Sequence, residues 1–135
     1  MQSSELTRSG IDLSRLGFGG ASLGNLYRET TEAEATDVVA AAWDAGIRYF
    51  DTAPHYGLGL SEVRLGRLLA GYPRDEFVIS TKVGRLLVPN ENRTELDDFV
   101  VPGDLRRRWN FSRDGILRSL EPSLARLGTD RIDIV

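Results

Sequence analysis

Three polar side chains of complementary chemistry lie near one another in the middle of the sequence. Asp51, Tyr56 and Lys82 supply a carboxylate, a phenol and an ammonium. A free phenol has a pKa near 10 and is a weak acid at neutral pH, but a neighbouring cation favours its charged form. A carboxylate that fixes this cation would complete an acid/base group able to protonate an alkoxide as it forms from a carbonyl. From the residues alone, a structural ion pair beside a packed loop tyrosine remains an open alternative.

The predicted strands explain how these side chains could meet. Residues 47–50 form a short strand before Asp51, and residues 77–81 form another before Lys82. The carboxyl ends of adjacent parallel strands lie about 5 Å apart, so the carboxylate and the ammonium can pair. Tyr56 then lies in the loop that leaves the same edge of the sheet.

Three helices are predicted around these strands. The first begins with a capping box formed by Thr31 and Glu34 and ends at Gly46. Ser61 is predicted to cap the second helix, with an acidic residue in its first turn. Gly66, inside that helix, indicates close packing of the helix on the sheet. The apolar stripe of the first helix comprises Ala35, Val38, Val39 and Ala42.

Ser112 is predicted to cap the third helix, and Pro122 predicts either a kink or two helical pieces. Residues 84–111 show no sustained periodicity and are interpreted as a long loop. Within it, residues 106–108 are three arginines, interpreted as a solvated charge run rather than a phosphate or substrate contact. The stripe predicted for the third helix comprises Ile116, Leu117, Leu120, Leu124 and Leu127.

The order of these elements predicts the fold class. Residues 6–14 are predicted to form a hairpin around a Ser9–Gly10 turn, and strands are expected at 16–20, 47–51, 77–82 and 132–135. Strands that alternate with helices indicate an α/β protein with a parallel sheet. All 135 residues are assigned to one domain.

The composition excludes several classes of function. The net charge of −3 gives no general attraction to nucleic acid or to an anionic membrane. No apolar run reaches the roughly 20 residues of a membrane span, and no secretory signal is visible at the N-terminus. The absence of cysteine and the single histidine exclude disulfides, thiolate chemistry and His-rich metal motifs. A cytoplasmic location and no bound metal are therefore expected.

The motifs around these residues closely resemble those of the aldo/keto reductases. They are Gly-Ile-x-x-Phe-Asp-Thr-Ala-x-x-Tyr-Gly-x-Gly-x-Ser-Glu-x-x-x-Gly at 46–66 and Ser-Thr-Lys-Val-Gly at 80–84. Residues 16–20 and 123–133 are similar to the same family, so the resemblance covers nearly the whole chain. The form of the first motif is most like that of fucose, galactose and pyridoxal dehydrogenases.

The resemblance implies a role for each matching residue. Tyr56 would be the general acid/base on the substrate oxygen, with Lys82 and Asp51 assisting it. Gly20, Ala21 and Asp51 would contact the cofactor, which in this family is NAD or NADP. The reaction implied is hydride transfer between this cofactor and the carbonyl or alcohol of a sugar or small aldehyde.

The resemblance also implies the first half of an eight-stranded (β/α) barrel, because such a barrel needs about 250 residues. The family's catalytic histidine would follow the fourth strand, and His55 is no obvious substitute for it. We therefore expect an N-terminal half that is inactive alone and that has a complementary C-terminal half as a further partner. A truncated or split reading frame would account for it. There are two alternatives. One is a non-catalytic module that binds cofactor or a partner, as the potassium-channel β-subunits partly do, and the other is an inert fragment.

Overall fold

Secondary structure can be followed through residues 3–6, 9–91 and 98–135, the part of the chain that this computed structural model describes. Strand β1 (Ser3–Leu6) pairs antiparallel with β2 (Ile11–Ser14). Gly10 turns the chain between them in the left-handed conformation, with φ of 68°. The predicted N-terminal hairpin is confirmed, although positions 7 and 8 lie outside the described residues.

The central sheet is parallel, as the alternation of strands and helices predicted. It comprises β3 (Phe18–Gly19), β4 (Tyr49–Asp51) and β5 (Val78–Ser80), in the order β3-β4-β5. The fourth predicted strand is represented by a parallel bridge from Ile134 to Ser80. The regular strands are shorter than the predicted ranges, but their order and direction agree with them. The sheet therefore brings the carboxyl ends of β4 and β5 side by side.

Helix α1 (Glu32–Asp44) follows β3 and has the predicted ends. Thr31 and Glu34 form the capping box, and Gly46 takes a left-handed conformation just beyond the last turn. The buried face of α1 comprises Ala35, Val39 and Ala42. The prediction that Val38 is buried was wrong, because this side chain is 45% exposed.

Helix α2 (Leu60–Leu69) starts differently from the prediction. Its N-cap is Gly59, with φ of 97°, so the prediction that Ser61 is the cap was wrong. Ser61 lies inside the first turn, and its hydroxyl donates to the carbonyl of Gly20 instead. Gly66 allows close packing, but on the next helix rather than on the sheet: a side-chain carbon there would overlap the backbone of Leu127.

Helix α3 (Arg113–Leu127) is capped by Ser112, whose hydroxyl accepts from the Gly115 N–H group. The helix runs on through Pro122 without a break, so a division into two pieces was a wrong prediction. The predicted apolar stripe is wrong as the buried face except at Leu127. Leu117 is exposed and most of that stripe is only half-buried, while the residues buried along α3 are Gly115, Ser119, Ser123 and Leu127.

The region predicted as a long loop contains a second hairpin. Strands β6 (Arg85–Pro89) and β7 (Leu105–Trp109) pair antiparallel, with Leu87 opposite Arg107. Their ladder joins segments distant in sequence, and the arginine run conceals the strand character of β7. Arg106 and Arg107 are half-buried, so the prediction of a fully solvated charge run was wrong for these two residues. Positions 92–97 of this region lie outside the described residues.

Apolar side chains from the sheet, from all three helices and from the turn after β3 form the core. Phe50 in β4 is fully buried, and Trp43 stacks on Tyr72 with ring centroids 3.8 Å apart. The core also contains Leu23, Val39, Leu65, Leu69, Phe77, Ile79 and Leu127. Among the helices described, none is both long and apolar enough to cross a membrane.

Candidate active site

Asp51 and Lys82 form an ion pair at the carboxyl edge of the parallel sheet. The Lys82 ammonium Nζ lies 2.9 Å from Oδ2 and 3.1 Å from Oδ1 of Asp51. It also donates to the carbonyl oxygen of Thr52, at 2.8 Å. The side chains of Lys82 and Asp51 are 41% and 35% exposed, so this pair can be reached from solvent. The structure thus brings together the two charged residues that the strand pattern predicted.

Two further side chains orient the Asp51 carboxylate. The hydroxyl of Ser80 donates to Oδ1 of Asp51 at 2.7 Å. The hydroxyl of Tyr49 lies 3.0 Å from that of Ser80, and because Ser80 uses its proton on Asp51, Tyr49 is the donor between them. Neither role was predicted from the sequence. Strand alternation was the available signal, since Tyr49, Asp51 and Ser80 all project to one face of paired strands.

Tyr56 lies in the loop after β4 and faces the ammonium. Lys82 Nζ sits over its ring, 4.8 Å from the centroid. A close backbone contact between two glycines holds this loop. A side-chain carbon at Gly24 would lie 2.7 Å from the Tyr56 carbonyl oxygen, and Gly57 takes φ of 63°. The three residues that were predicted to act together therefore share one site.

His55 borders the same site as a neutral imidazole. Its ring meets that of Tyr56 edge-on, with centroids 4.6 Å apart, and it also faces Phe99. Burial lowers the pKa of His55 from 6.5 to about 4, and the positive charges of Arg85 and Arg107 add to this effect. Its Nδ1 atom is buried without a hydrogen-bond partner among the described residues.

The predicted cofactor residues lie in a turn that is bonded to the site. Gly20 begins a short 3-10 turn, Gly20–Gly24, directly after β3. A side-chain carbon at Gly20 would lie 2.8 Å from the carbonyl oxygen of Asp51, so only glycine permits this approach. Ser61 donates to the Gly20 carbonyl oxygen at 2.7 Å. Ala21 is half-exposed at the start of the turn.

The donor and acceptor chemistry of this edge fits the ribose of a nicotinamide dinucleotide. A carboxylate can accept about four hydrogen bonds. Asp51 accepts two at Oδ1, from Ser80 and Lys82, and one at Oδ2. The Asp51 side chain is 35% exposed, so its carboxylate retains capacity for a ribose hydroxyl, beside the Gly20–Gly24 turn.

Lys82 is unusual because it differs in residue type from the other cationic side chains of the sequence. It is the single lysine of the chain, and the other basic residues are all arginines. An ammonium is a compact charge with three donors, whereas a guanidinium is planar and forked. Two Asp51 oxygens and the Thr52 carbonyl oxygen surround Nζ, an arrangement that suits a compact ammonium.

Comparisons with known proteins show which family the chain belongs to. Residues 15–135 match the family model described as the aldo/keto reductase family. The chain is 58% identical over 132 residues to D-threo-aldose 1-dehydrogenase of a Pseudomonas species, covering 94% of this chain and 40% of that protein. It is 41% identical to pyridoxal 4-dehydrogenase of Microbacterium luteolum, covering 96% of this chain and 41% of the relative.

Solved structures give the same result. A holo-form aldo-keto reductase from Bacillus halodurans superposes with a TM-score of 0.76 at 32% identity, over 98% of this chain and 38% of that one. A second aldo-keto reductase, from Pseudomonas aeruginosa, gives a TM-score of 0.73 at 38% identity, over 96% of this chain and 44% of its own. The chain thus spans about two fifths of the length of the relatives that it matches. It belongs to the aldo/keto reductase family, and its α/β fold corresponds to the first half of the family's (β/α)8 barrel.

Proposed function

We propose that this chain carries the acid/base half of an NAD(P)-dependent oxidoreductase site. The reaction is hydride transfer between the cofactor and the carbonyl or alcohol of a sugar or small aldehyde. One observation supports it most: the Lys82 ammonium, tied to Asp51, lies over the ring of Tyr56. The cation that would stabilise the phenolate therefore already lies against the phenol ring.

In this proposal each side chain has one task. Tyr56 gives a proton to the substrate oxygen during reduction and takes it back during oxidation. Lys82 stabilises the negative charge that develops on the phenol oxygen, and Asp51 holds Lys82 in place. Bound NAD or NADP supplies or accepts the hydride. Gly20 and Ala21 present the turn against which the nicotinamide end would rest.

The sequence relatives support a sugar as the substrate class. The name of the Pseudomonas relative, 58% identical, describes oxidation of D-threo-aldoses. The name of the Microbacterium relative describes an aldehyde, pyridoxal. A free sugar is therefore the first substrate to assay, with either dinucleotide. We place the protein in the cytoplasm and expect no turnover from the 135 residues alone, because a partner half of the barrel completes the site.

The test uses a barrel chimaera, in which residues 1–135 replace the matching part of the Pseudomonas relative. Turnover of D-threo-aldoses with NAD or NADP is measured by the absorbance of the reduced dinucleotide. Tyr56→Phe is expected to lower turnover by about 10²- to 10⁴-fold, the usual contribution of general acid/base catalysis. Tyr27→Phe serves as the matched control, because the Tyr27 side chain is 76% exposed and none of its described contacts involves Asp51, Tyr56 or Lys82.

The outcomes separate the proposed function from its alternative. A folded wild-type chimaera that binds dinucleotide but turns over no sugar or aldehyde would indicate a non-catalytic binding module. Unchanged turnover in Tyr56→Phe would remove Tyr56 from its role. A Tyr27→Phe variant that loses as much as Tyr56→Phe would show that the loss is not specific to the site.

A further inference from the structure

Glu62 is a fully buried carboxylate that the proposed proton transfer does not use. It lies in the first turn of α2 and is 0% exposed. Burying a carboxylate costs several kcal/mol in effect unless partners compensate it. Its Oε1 accepts from the Thr81 hydroxyl, at 2.6 Å, and its Oε2 from Nε of Arg126, at 2.6 Å. Both oxygens are bonded, so the carboxylate has one defined position.

Thr81 connects this carboxylate to the site. Side chains alternate along an extended chain, so Ser80 and Lys82 point to the face that carries Asp51, and Thr81 points to the opposite face. The Thr81 N–H group donates to the carbonyl oxygen of Ile134, at 3.2 Å. With its hydroxyl on Glu62 as well, Thr81 is fixed through both backbone and side chain. The residue that precedes Lys82 therefore cannot shift without breaking a buried bond.

Arg126 reaches Glu62 from α3 over a glycine. Gly59 takes φ of 97°, and a side-chain carbon there would lie 2.7 Å from Cδ of Arg126. The absence of a side chain at this position gives the arginine its path to Glu62. Arg126 also donates to the Ser123 hydroxyl, at 3.2 Å. The counter-charge for Glu62 thus comes from a third element of the fold.

We infer that Glu62 is a positioning residue for Lys82 and acts through Thr81. Asp51 holds the ammonium from the exposed face, and Glu62 holds the preceding residue from the buried face. This inference rests on the proposed function for the role of Lys82, but the contacts that carry it are independent of any substrate.

A carboxylate suits position 62 because it accepts from two donors, Thr81 and Arg126, and supplies the counter-charge of the guanidinium. Glutamine could accept from Arg126 and donate to the Thr81 hydroxyl, but it would leave the arginine without a counter-charge. Thr81→Val removes the link while leaving the Glu62–Arg126 ion pair in place, so it isolates the proposed effect.

The first measurement compares three variants in the barrel chimaera. Thr81→Val is expected to lower kcat by roughly 10- to 100-fold with KM nearly unchanged, because a misplacement of about 1 Å has this size of effect. The pH dependence of kcat is also expected to shift, since the ammonium no longer sits at its place beside Tyr56. Thr81→Ser keeps the hydroxyl and should restore both. Ser123→Ala alters the same network beyond Arg126 and should change stability without changing kcat or its pH profile.

The second measurement does not depend on activity. The 135-residue chain is labelled with ¹³C-lysine, and its NMR signals then report Lys82 alone. Since Nζ lies over the Tyr56 ring, the Lys82 Hε protons should be shifted upfield by the ring current. Thr81→Val should lose that shift, whereas Thr81→Ser and Ser123→Ala should retain it.

These measurements test the positioning role of Glu62 separately from the proposed oxidoreductase function. If the wild-type chimaera has no turnover, the proposed function fails, and the NMR comparison still tests the positioning role. If Thr81→Val keeps the upfield shift, or if wild-type Lys82 shows none, Glu62 does not position Lys82. If Ser123→Ala lowers kcat as much as Thr81→Val, the effect is one of general stability, and the inference is wrong.

Discussion

The end of β5 lies between two ion pairs that use the same chemistry in different surroundings. On one face, Lys82 pairs with Asp51 at 2.9 Å, and both side chains are more than a third exposed. On the other face, Arg126 pairs with Glu62 at 2.6 Å, where the carboxylate is 0% exposed and the arginine 20% exposed. An exposed pair contributes little to stability, whereas breaking a buried pair is costly. Burial therefore separates a pair suited to chemistry from a pair suited to holding the fold.

The largest expected difference between the two faces is in stability. Glu62→Ala should lower the free energy of unfolding by about 3–5 kcal/mol, because it leaves Arg126 and Thr81 without their partner. Asp51→Ala should lower it by no more than about 1 kcal/mol, because water can replace the carboxylate around Lys82. Urea denaturation of the two variants provides the comparison. Equal losses would show that burial does not distinguish the two pairs.

A smaller effect is expected from pH, and it belongs to the face that carries Asp51 and Lys82. His55 has a pKa near 4 in the folded chain against 6.5 as the ordinary value, so the unfolded state binds a proton first on acidification. Its contribution to stability is complete above pH 6.5 and is lost as the pH falls through 4. His55→Gln should therefore show a shallower stability loss between these limits than the wild type. His55 is the single histidine of the chain, so its NMR titration is unambiguous. A folded-state pKa near 6.5 would contradict the prediction.

Salt should produce the smallest effect on stability, and this effect should differ between the exposed and the buried ion pair. At about 1 M ionic strength the screening length falls to about 3 Å, which weakens exposed ion pairs much more than buried ones. The stability loss caused by Asp51→Asn should shrink when NaCl is raised to that concentration. The loss caused by Arg126→Met should remain, because Glu62 is shielded from the solvent. An Arg126→Met loss that disappears in salt would indicate that the inner pair is hydrated.

The sequence was sufficient to predict the exposed face but not the buried one. Asp51 and Lys82 were placed together because both follow strands that pair in parallel, and strand pairing follows from local periodicity. The motif containing Glu62 suggested only a favourable position in the first turn of α2. Its partners are Thr81, 19 residues later, and Arg126, 64 residues later. Such distant contacts leave no periodic signal.

The second hairpin was also not predicted from the sequence, because its two strands are distant from each other along the chain. Residues 85–89 and 105–109 pair with each other although the sequence between them shows no sustained periodicity. Three arginines in β7 suggested a solvated loop, although two of them are half-buried. The N-cap of α2 was misplaced for a related reason. Ser61 has the right chemistry for a cap, but tertiary contacts with Gly20 and Thr52 use its hydroxyl instead.

The central claim is that Tyr56 and Lys82 act as one acid/base unit. It is tested most directly by a double-mutant cycle in the barrel chimaera, measuring kcat/KM for Tyr56→Phe, Lys82→Met and the combination. Groups that act as a unit show strongly non-additive losses. We predict that the double variant is no worse than the more damaged single variant. Losses that multiply would contradict the account, because they would show that the phenol and the ammonium act independently.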